Sequence, residues 1–186
     1  MAKLSRKRTR YLILLAAASL IVWRGWPVVW IFLGLNLLVS SDYSRLDEMV
    51  PPPEKPSLTL LGLSHPMDEP GKLANELLFQ PRRMMHGHGF SPASRMEPHL
   101  ESIAGILTES STYEPWYGSK LCGGFHADYC FRWIQEEKKW DALLCMGCHE
   151  VILFHEGRSL RCDLSSESAE RILSILDVVD PPRRLP

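Results

Sequence analysis

The feature that most constrains this chain of 186 residues is an apolar run from residue 11 to residue 39. The run contains one charged residue, Arg24, and one proline, Pro27. A helix needs about 20 apolar residues to cross the hydrocarbon core of a bilayer. Because neither half of the run reaches that length alone, we expect one continuous helix that forms a transmembrane anchor over 11–39.

The charges around the apolar run predict its orientation. Five basic residues lie within residues 1–10, and no acidic residue precedes Asp42. Basic residues favour the cytoplasmic side of a span, so we expect a cytoplasmic tail over 1–10 and an exported C-terminal part. This predicts a single-pass membrane protein with a signal anchor, whose partner is the lipid bilayer. Two alternatives stay open: a re-entrant hairpin that turns at residues 24–27, and a cleaved signal peptide.

The charge balance excludes a strongly basic nucleic-acid binder. The chain has 21 basic and 22 acidic residues, and from residue 25 onward the numbers are 15 and 22, a net charge of −7. A surface of this sign does not attract a phosphate backbone. We therefore expect no nucleic-acid partner.

The region after the apolar run divides into a linker and a domain. Residues 40–56 are polar and then proline-rich, and the prolines at 51–53 cannot continue a helix, so we expect an extended linker there. Residues 57–186 predict a folded domain whose core covers about 97–180.

Two hydrophobic periods in that domain predict an α+β fold, in which a small antiparallel sheet is flanked by helices. Alternation of large apolar residues after Asp128 predicts a strand, and the turn at Glu156 and Gly157 predicts a hairpin. Ser165 or Ser166 can cap the last helix. The expected strands cover residues 58–61, 129–134, 140–145, 151–154 and 159–164, and the expected helices cover 72–80, 97–107 and 166–180.

All five cysteines lie between residues 122 and 162. Cys145 and Cys148 are separated by two residues, which lets both sulfurs converge on one point, and Cys122 with His126 can supply a second pair of ligands. The sequence therefore predicts a structural zinc site. The predicted ligands are Cys122, His126, Cys145 and Cys148, with His149 and Cys130 as substitutes.

Three other uses of these residues stay open. Cys145 and Cys148 can form a disulfide or a reactive dithiol in an exported domain. The stretch from Cys145 to His149 also matches the CxxCH motif of covalent haem, although the strand expected directly after His149 argues against haem. Finally, cysteines can simply fill a core, which is what we expect of Cys162.

Other histidines give weaker signals. His86 and His88 alternate in a glycine-rich stretch, where a solvated loop is a simpler explanation than a metal site. His126 and Asp128 would share one face of a strand. No nucleophile and base stand at a spacing typical of catalysis, so we expect no catalytic residues.

The motifs CGGFHAD, from Cys122, and CMGCHEV, from Cys145, resemble those of a family of uncharacterised bacterial proteins. Members of that family carry a CGFHAD-like strand and a CFGCHEV-like motif, so this chain has an additional glycine and has Met146 in place of an aromatic residue. The resemblance implies a small α+β domain, and it implies no function. The positions it marks are Cys122, His126, Cys145, Cys148 and His149.

The sequence thus predicts a membrane-anchored, non-enzymatic module whose Cys/His cluster, if it binds a cofactor, holds a structural zinc ion. The alternative is an exported redox protein that works through Cys145 and Cys148, as a dithiol or as a haem site.

Overall fold

The computed structural model describes residues 39–63, 82–94, 98–118, 120 and 125–179, together with the single positions 19, 71, 75 and 76. Eight strands and three α-helices lie in these ranges. The strands are β1 (Leu58–Gly62), β2 (Arg83–Met85), β3 (His88–Ser94), β4 (Tyr113–Pro115), β5 (Tyr129–Gln135), β6 (Lys138–Cys145), β7 (Glu150–His155) and β8 (Arg158–Leu164). The helices are α1 (Leu46–Met49), α2 (Pro98–Ile106) and α3 (Ser166–Val179).

The strands form one curled antiparallel sheet in the order β2-β3-β1-β5-β6-β7-β8-β4. Three of its hairpins turn through two residues that both have positive φ. Type I′ turns need this backbone, and their twist matches that of the paired strands. The three turns are His86–Gly87, Glu136–Glu137 and Glu156–Gly157.

Side chains alternate between the two faces of the sheet along each strand, and different elements pack on each face. The helix face, which includes Phe131 and Trp133, packs against α1, α2 and α3. The hairpin face, which includes Cys130 and Leu143, lies under the β2–β3 hairpin and residues 125–127. Both faces are sealed from water, because side chains such as Phe131 and Leu143 are 0% exposed.

Residues 40–56, expected as a linker, pack against the domain. Met49 in α1 is 1% exposed and belongs to the core of the helix face. The indole Nε1 of Trp133 donates to the carbonyl oxygen of Glu54 at 2.8 Å, and Arg161 N–H donates to the carbonyl oxygen of Ser40 at 2.8 Å. The prolines therefore lie in a segment that contributes to the core.

The expected α+β class is wrong, because an eight-stranded sheet dominates the described structure. Helices α2 and α3 pack on the same face of that sheet and do not flank it on both sides. The central strands and α3 were correctly expected from hydrophobic periodicity. Strands β2, β3 and β4 were missed because their sequences contain glycine or proline or are only three residues long, and pairing with neighbours determines such strands more than propensity does.

The expected transmembrane anchor is also corrected, and with it the single-pass localisation and the exported orientation. No helix in the described part of the chain is long and apolar enough to cross a membrane. A continuous helix over 11–39 would have to include Pro27, which lacks a backbone N–H, and the charge of Arg24. Apart from positions 19 and 39, the run at 11–39 lies outside the described residues, as do the basic tail at 1–10 and most of the helix expected at 72–80.

Candidate functional site

The hairpin face carries a buried carboxylate, Asp141, in the middle of the sheet. Asp141 is 4% exposed and lies in register with Arg132 on β5 and Phe154 on β7. The guanidinium of Arg132 donates to both carboxylate oxygens, with Nε and Nη2 each at 2.6 Å. Such paired bonds hold the two groups in one plane and add specificity to their attraction.

His86 completes this group from the tip of the β2–β3 hairpin. Its Nε2 lies 2.6 Å from Oδ2 of Asp141, and its ring stacks on Phe154 with the ring centroids 3.7 Å apart. Burial alone would raise the pKa of the Asp141 carboxyl, but hydrogen bonds from Arg132 and His86 hold that pKa below its ordinary value. Asp141 therefore remains ionised and anchors the hairpin tip to the centre of the sheet.

The backbone of His86 lies in the left-handed region, at the first position of a type I′ turn. Its φ is 50°, in the left-handed region that asparagine and glycine enter more easily. The imidazole side chain is what bonds Asp141 and stacks on Phe154, so these contacts offset the cost of the turn.

An open cleft of about 780 Å³ lies above this group, between the β5–β6 and β7–β8 turns. Its floor is formed by His86, Arg132, Asp141 and Phe154. The cationic side chains that line it are those of Arg132, Lys138, Lys139 and Arg158, and the acidic ones are those of Glu136, Glu137, Asp141 and Glu156. We call this region the His86 cleft. Its lining carries equal numbers of both charges.

A second buried carboxylate, Glu150, lies further along the hairpin face. Glu150 is 0% exposed and accepts hydrogen bonds from Nη2 of Arg161 at 2.6 Å and from Nε1 of Trp116 at 3.0 Å. The guanidinium of Arg161 also lies 4.6 Å from the centroid of the Trp116 ring. This group has little access to water, so its role is to hold β7, β8 and the segment after β4 together.

The predicted Cys/His cluster lies at the far end of the same face. Asp128 joins two parts of it: Oδ1 lies 3.1 Å from Nδ1 of His126, and Oδ2 accepts the backbone N–H of Met146 at 2.7 Å. Gly62 lets β1 approach this point, because a Cβ there would lie 1.9 Å from the carbonyl oxygen of Ala127. The pairing of His126 with Asp128 that the sequence suggested is therefore present in the structure.

The four cysteines that the structure describes are in two states. Cys148 is disulfide-bonded, whereas Cys130, Cys145 and Cys162 are buried free thiols. A Cys145–Cys148 disulfide is therefore absent here, and the partner of Cys148 lies outside the described residues. Cys162 is 0% exposed opposite Val151 on the helix face, which confirms that it fills the core.

Burial makes the free thiols poor nucleophiles. It raises the pKa of Cys145 to about 12, even though Sγ accepts backbone hydrogen bonds from His126 and Cys148. Burial also raises the pKa of Cys162 to about 12 and raises that of Cys130. Because the thiolate is the reactive form, such thiols do not suit redox exchange.

These states predict the thiol content of the purified chain. A thiol reagent should label none of the three free cysteines in the native protein, and three thiols per chain after denaturation without reductant. Peptide mapping without reduction should find the Cys148 peptide in a disulfide-linked pair. Five labelled thiols after denaturation, or rapid native labelling of Cys145, would contradict this assignment.

The sequence placed His88 in a solvated glycine-rich loop, but the structure places it at the start of β3 and buries it on the hairpin face. It is 3% exposed, and its Nε2 has no hydrogen-bond partner. Burial lowers the pKa of His88 to about 3, with smaller contributions from His126 and His86. The sequence signal for this burial is the apolar Phe90, two residues later, because alternate residues of a strand share one face. Phe90 is fully buried.

The predicted zinc set is not assembled among the residues described. No group of three or more His, Cys, Asp or Glu side chains in that part of the chain is placed to hold a metal ion. Cys122 lies outside the described residues, so the complete set with His126, Cys145 and Cys148 stays a prediction. Of the substitutes, Cys130 is buried 4.0 Å from Sδ of Met85, and His149 is exposed.

Comparison with protein-family models, with curated proteins and with solved structures finds no match for this chain. The resemblance to an uncharacterised bacterial family therefore stays a prediction.

Proposed function

We propose that this domain is a non-enzymatic module that binds a small zwitterionic molecule, such as a free amino acid or a dipeptide, in the His86 cleft. The observation that supports this most is the buried Asp141, which fixes both Arg132 and His86 at the floor of an open cleft. A floor that is held in place loses little entropy when a ligand binds.

The polar groups of the floor suit a ligand carboxylate. Arg132 lines the cleft and uses Nε and Nη2 for Asp141, so its Nη1 is not needed for that pair. Lys139 lies on the same face of β6 as Asp141, two residues nearer the β5–β6 turn. Its side chain is exposed. Two cationic donors close to each other are the arrangement that a carboxylate needs.

The acidic residues of the cleft suit a ligand ammonium group. Glu136 and Glu137 form the β5–β6 turn and line the cleft with exposed side chains. Arg158 is paired with Glu48 and Glu156, so its charge is largely compensated within the protein. With charges of both signs balanced, the cleft attracts neither a polyanion nor a polycation, which favours a ligand that carries both charges.

The chemistry of the face supports binding without catalysis. Its free thiols are buried with raised pKa values. Nε2 of His86 is bonded to the carboxylate of Asp141, so this nitrogen is engaged with a charge partner and not with a nucleophilic side chain. General-base catalysis needs such a nucleophile or a positioned water, whereas binding does not.

A ligand panel tests this proposal. We expect free α-amino acids or dipeptides to raise the melting temperature of the full chain, because a ligand that binds only the folded state stabilises it. We expect smaller or no effects from a dicarboxylate, a polyamine and inorganic polyphosphate. Stabilisation by polyphosphate alone, or by no member of the panel, would contradict the proposal.

A matched pair of variants links the binding to His86. His86→Asn retains a residue that accepts the left-handed turn and removes the imidazole ring, so the affinity should fall by about tenfold or more while the fold persists. Arg171→Ala removes an exposed ion pair with Glu109 on the helix side and should leave the affinity unchanged. Equal affinities of the two variants would argue against the His86 cleft.

A further inference from the structure

We propose that the molecule bound in the His86 cleft carries an aliphatic side chain, such as that of leucine, and that this side chain packs on two apolar residues beside the cleft, Leu58 and Ile134. We call these two residues the apolar strip. This inference rests on the proposed zwitterion binding and narrows the class of ligand, because glycine then binds more weakly than leucine.

The apolar strip lies on the hairpin face, next to the cationic side of the cleft. Alternate residues of a strand share one face, so Ile134 lies on the same face of β5 as Arg132, two residues nearer the β5–β6 turn. Leu58 on β1 is in register with Arg132 and packs, partly buried, against the core of the hairpin face. Ile134 is in register with Lys139. Each residue of the strip is therefore a cross-strand neighbour of a residue that we assign to the ligand carboxylate.

Ile134 is 51% exposed, although a large apolar side chain gains from burial. In the described part of the chain three other large apolar side chains are exposed, those of Met84, Tyr117 and Leu173. A single exposed apolar side chain is ordinary on a protein surface, so the position of Ile134 matters more than its exposure. Its cross-strand neighbour Lys139 lines the His86 cleft, which places Ile134 at the edge of that cleft.

Ile134 also lies between the two groups that we assign to the charges of the ligand. Arg132 precedes it by two residues, and Glu136 and Glu137 in the β5–β6 turn follow it. Two residues of a strand span roughly 7 Å, so Arg132 and Ile134 are within reach of one amino acid or dipeptide. The side chain of an α-amino acid starts from the carbon that carries both charged groups. A ligand held by its two charges therefore presents its side chain to Ile134.

The lining of the cleft offers a ligand side chain little other apolar surface. Phe154 is the one large apolar residue among the described residues of the lining, and the ring of His86 covers one face of it at 3.7 Å. The cross-strand neighbour of Phe154 on β8 is Ser159, which is small and polar. An aliphatic side chain therefore finds its apolar contacts at the strip.

Binding constants for two matched pairs of ligands test the proposal. Calorimetric titration of the full chain compares leucine with glycine, and dileucine with diglycine. In the pair that binds, we expect the leucine-containing member to bind about tenfold more tightly, because a few of its methylene and methyl groups leave water at the strip. Equal affinities within that pair would overturn the proposal and leave zwitterion binding intact. Binding of none of the four ligands would overturn both.

Three variants locate the preference at the strip. Ile134→Thr keeps a β-branched side chain that suits a strand, so the fold should persist while the preference for leucine falls toward one and the affinity for glycine stays unchanged. Ile134→Val keeps an aliphatic contact and should keep most of the preference. Leu173→Ala removes an exposed apolar side chain from α3, on the opposite side of the sheet, and should change neither affinity. An Ile134→Thr variant with the preference of the wild type, or loss of the preference in Leu173→Ala, would overturn the proposal.

Discussion

Replacing Glu150 by alanine should lower the free energy of unfolding by about 3–5 kcal/mol, the largest effect that we expect of a single substitution. Glu150 is completely buried, and its carboxylate is the charge partner of Arg161 and accepts a bond from Trp116. Its removal leaves the guanidinium of Arg161, whose side chain is 12% exposed, without its ion-pair partner. Urea unfolding, with the slope compared between variants, measures the loss.

Two comparisons make this prediction specific. Replacing both partners, as Glu150→Leu with Arg161→Met, should restore much of the stability, because an apolar pair leaves no buried charge. The exposed Arg171–Glu109 pair is the control, and Arg171→Ala should change the free energy of unfolding by less than about 1 kcal/mol. A Glu150→Ala variant as stable as Arg171→Ala would show that the buried pair contributes nothing.

Acidification from pH 7 to pH 5 should destabilise the fold by about 2 kcal/mol through His88 alone. In the folded state burial lowers the pKa of His88 to about 3, whereas the unfolded chain has the ordinary value of about 6.5. Between these values the unfolded state binds a proton that the folded state excludes. The contribution of His88 is therefore complete above pH 6.5 and is lost progressively as the pH falls toward 3.

The variant His88→Leu isolates this contribution. Its free energy of unfolding should vary less between pH 7 and pH 5 than that of the wild type, by about 2 kcal/mol. The lowered pKa of Asp141 acts in the same direction but only near and below its ordinary value of 3.8, outside this window. Parallel pH profiles of the two proteins between pH 7 and pH 5 would contradict a buried neutral His88.

The central strands could be predicted because local pattern determines them. Tyr129, Phe131 and Trp133 alternate with smaller or polar residues, and the two-residue turn at Glu156–Gly157 fixes the last hairpin. The buried role of Cys162 followed from the same register, opposite Val151. Where hydrophobic period and turn chemistry agree, the sequence was sufficient.

The groups of the His86 cleft could not be predicted, because their contacts are distant in the sequence. His86 and Asp141 are 55 residues apart and meet only because the sheet curls its first hairpin over its centre. The segment of β3 contains Gly89, which gave the appearance of a loop. Burial of Met49 within the expected linker has the same origin, since only the assembled core offers α1 a surface to cover.

The most direct test of the central claim, that the His86 cleft binds a zwitterion, is a nuclear magnetic resonance titration of the full chain with the amino acid or dipeptide that stabilises it most. We predict saturable shifts centred on His86, Arg132 and Lys139, including the imidazole resonances of His86, with no change at Ala169 on α3. Saturable shifts centred away from the cleft, or the absence of saturable shifts, would contradict the claim.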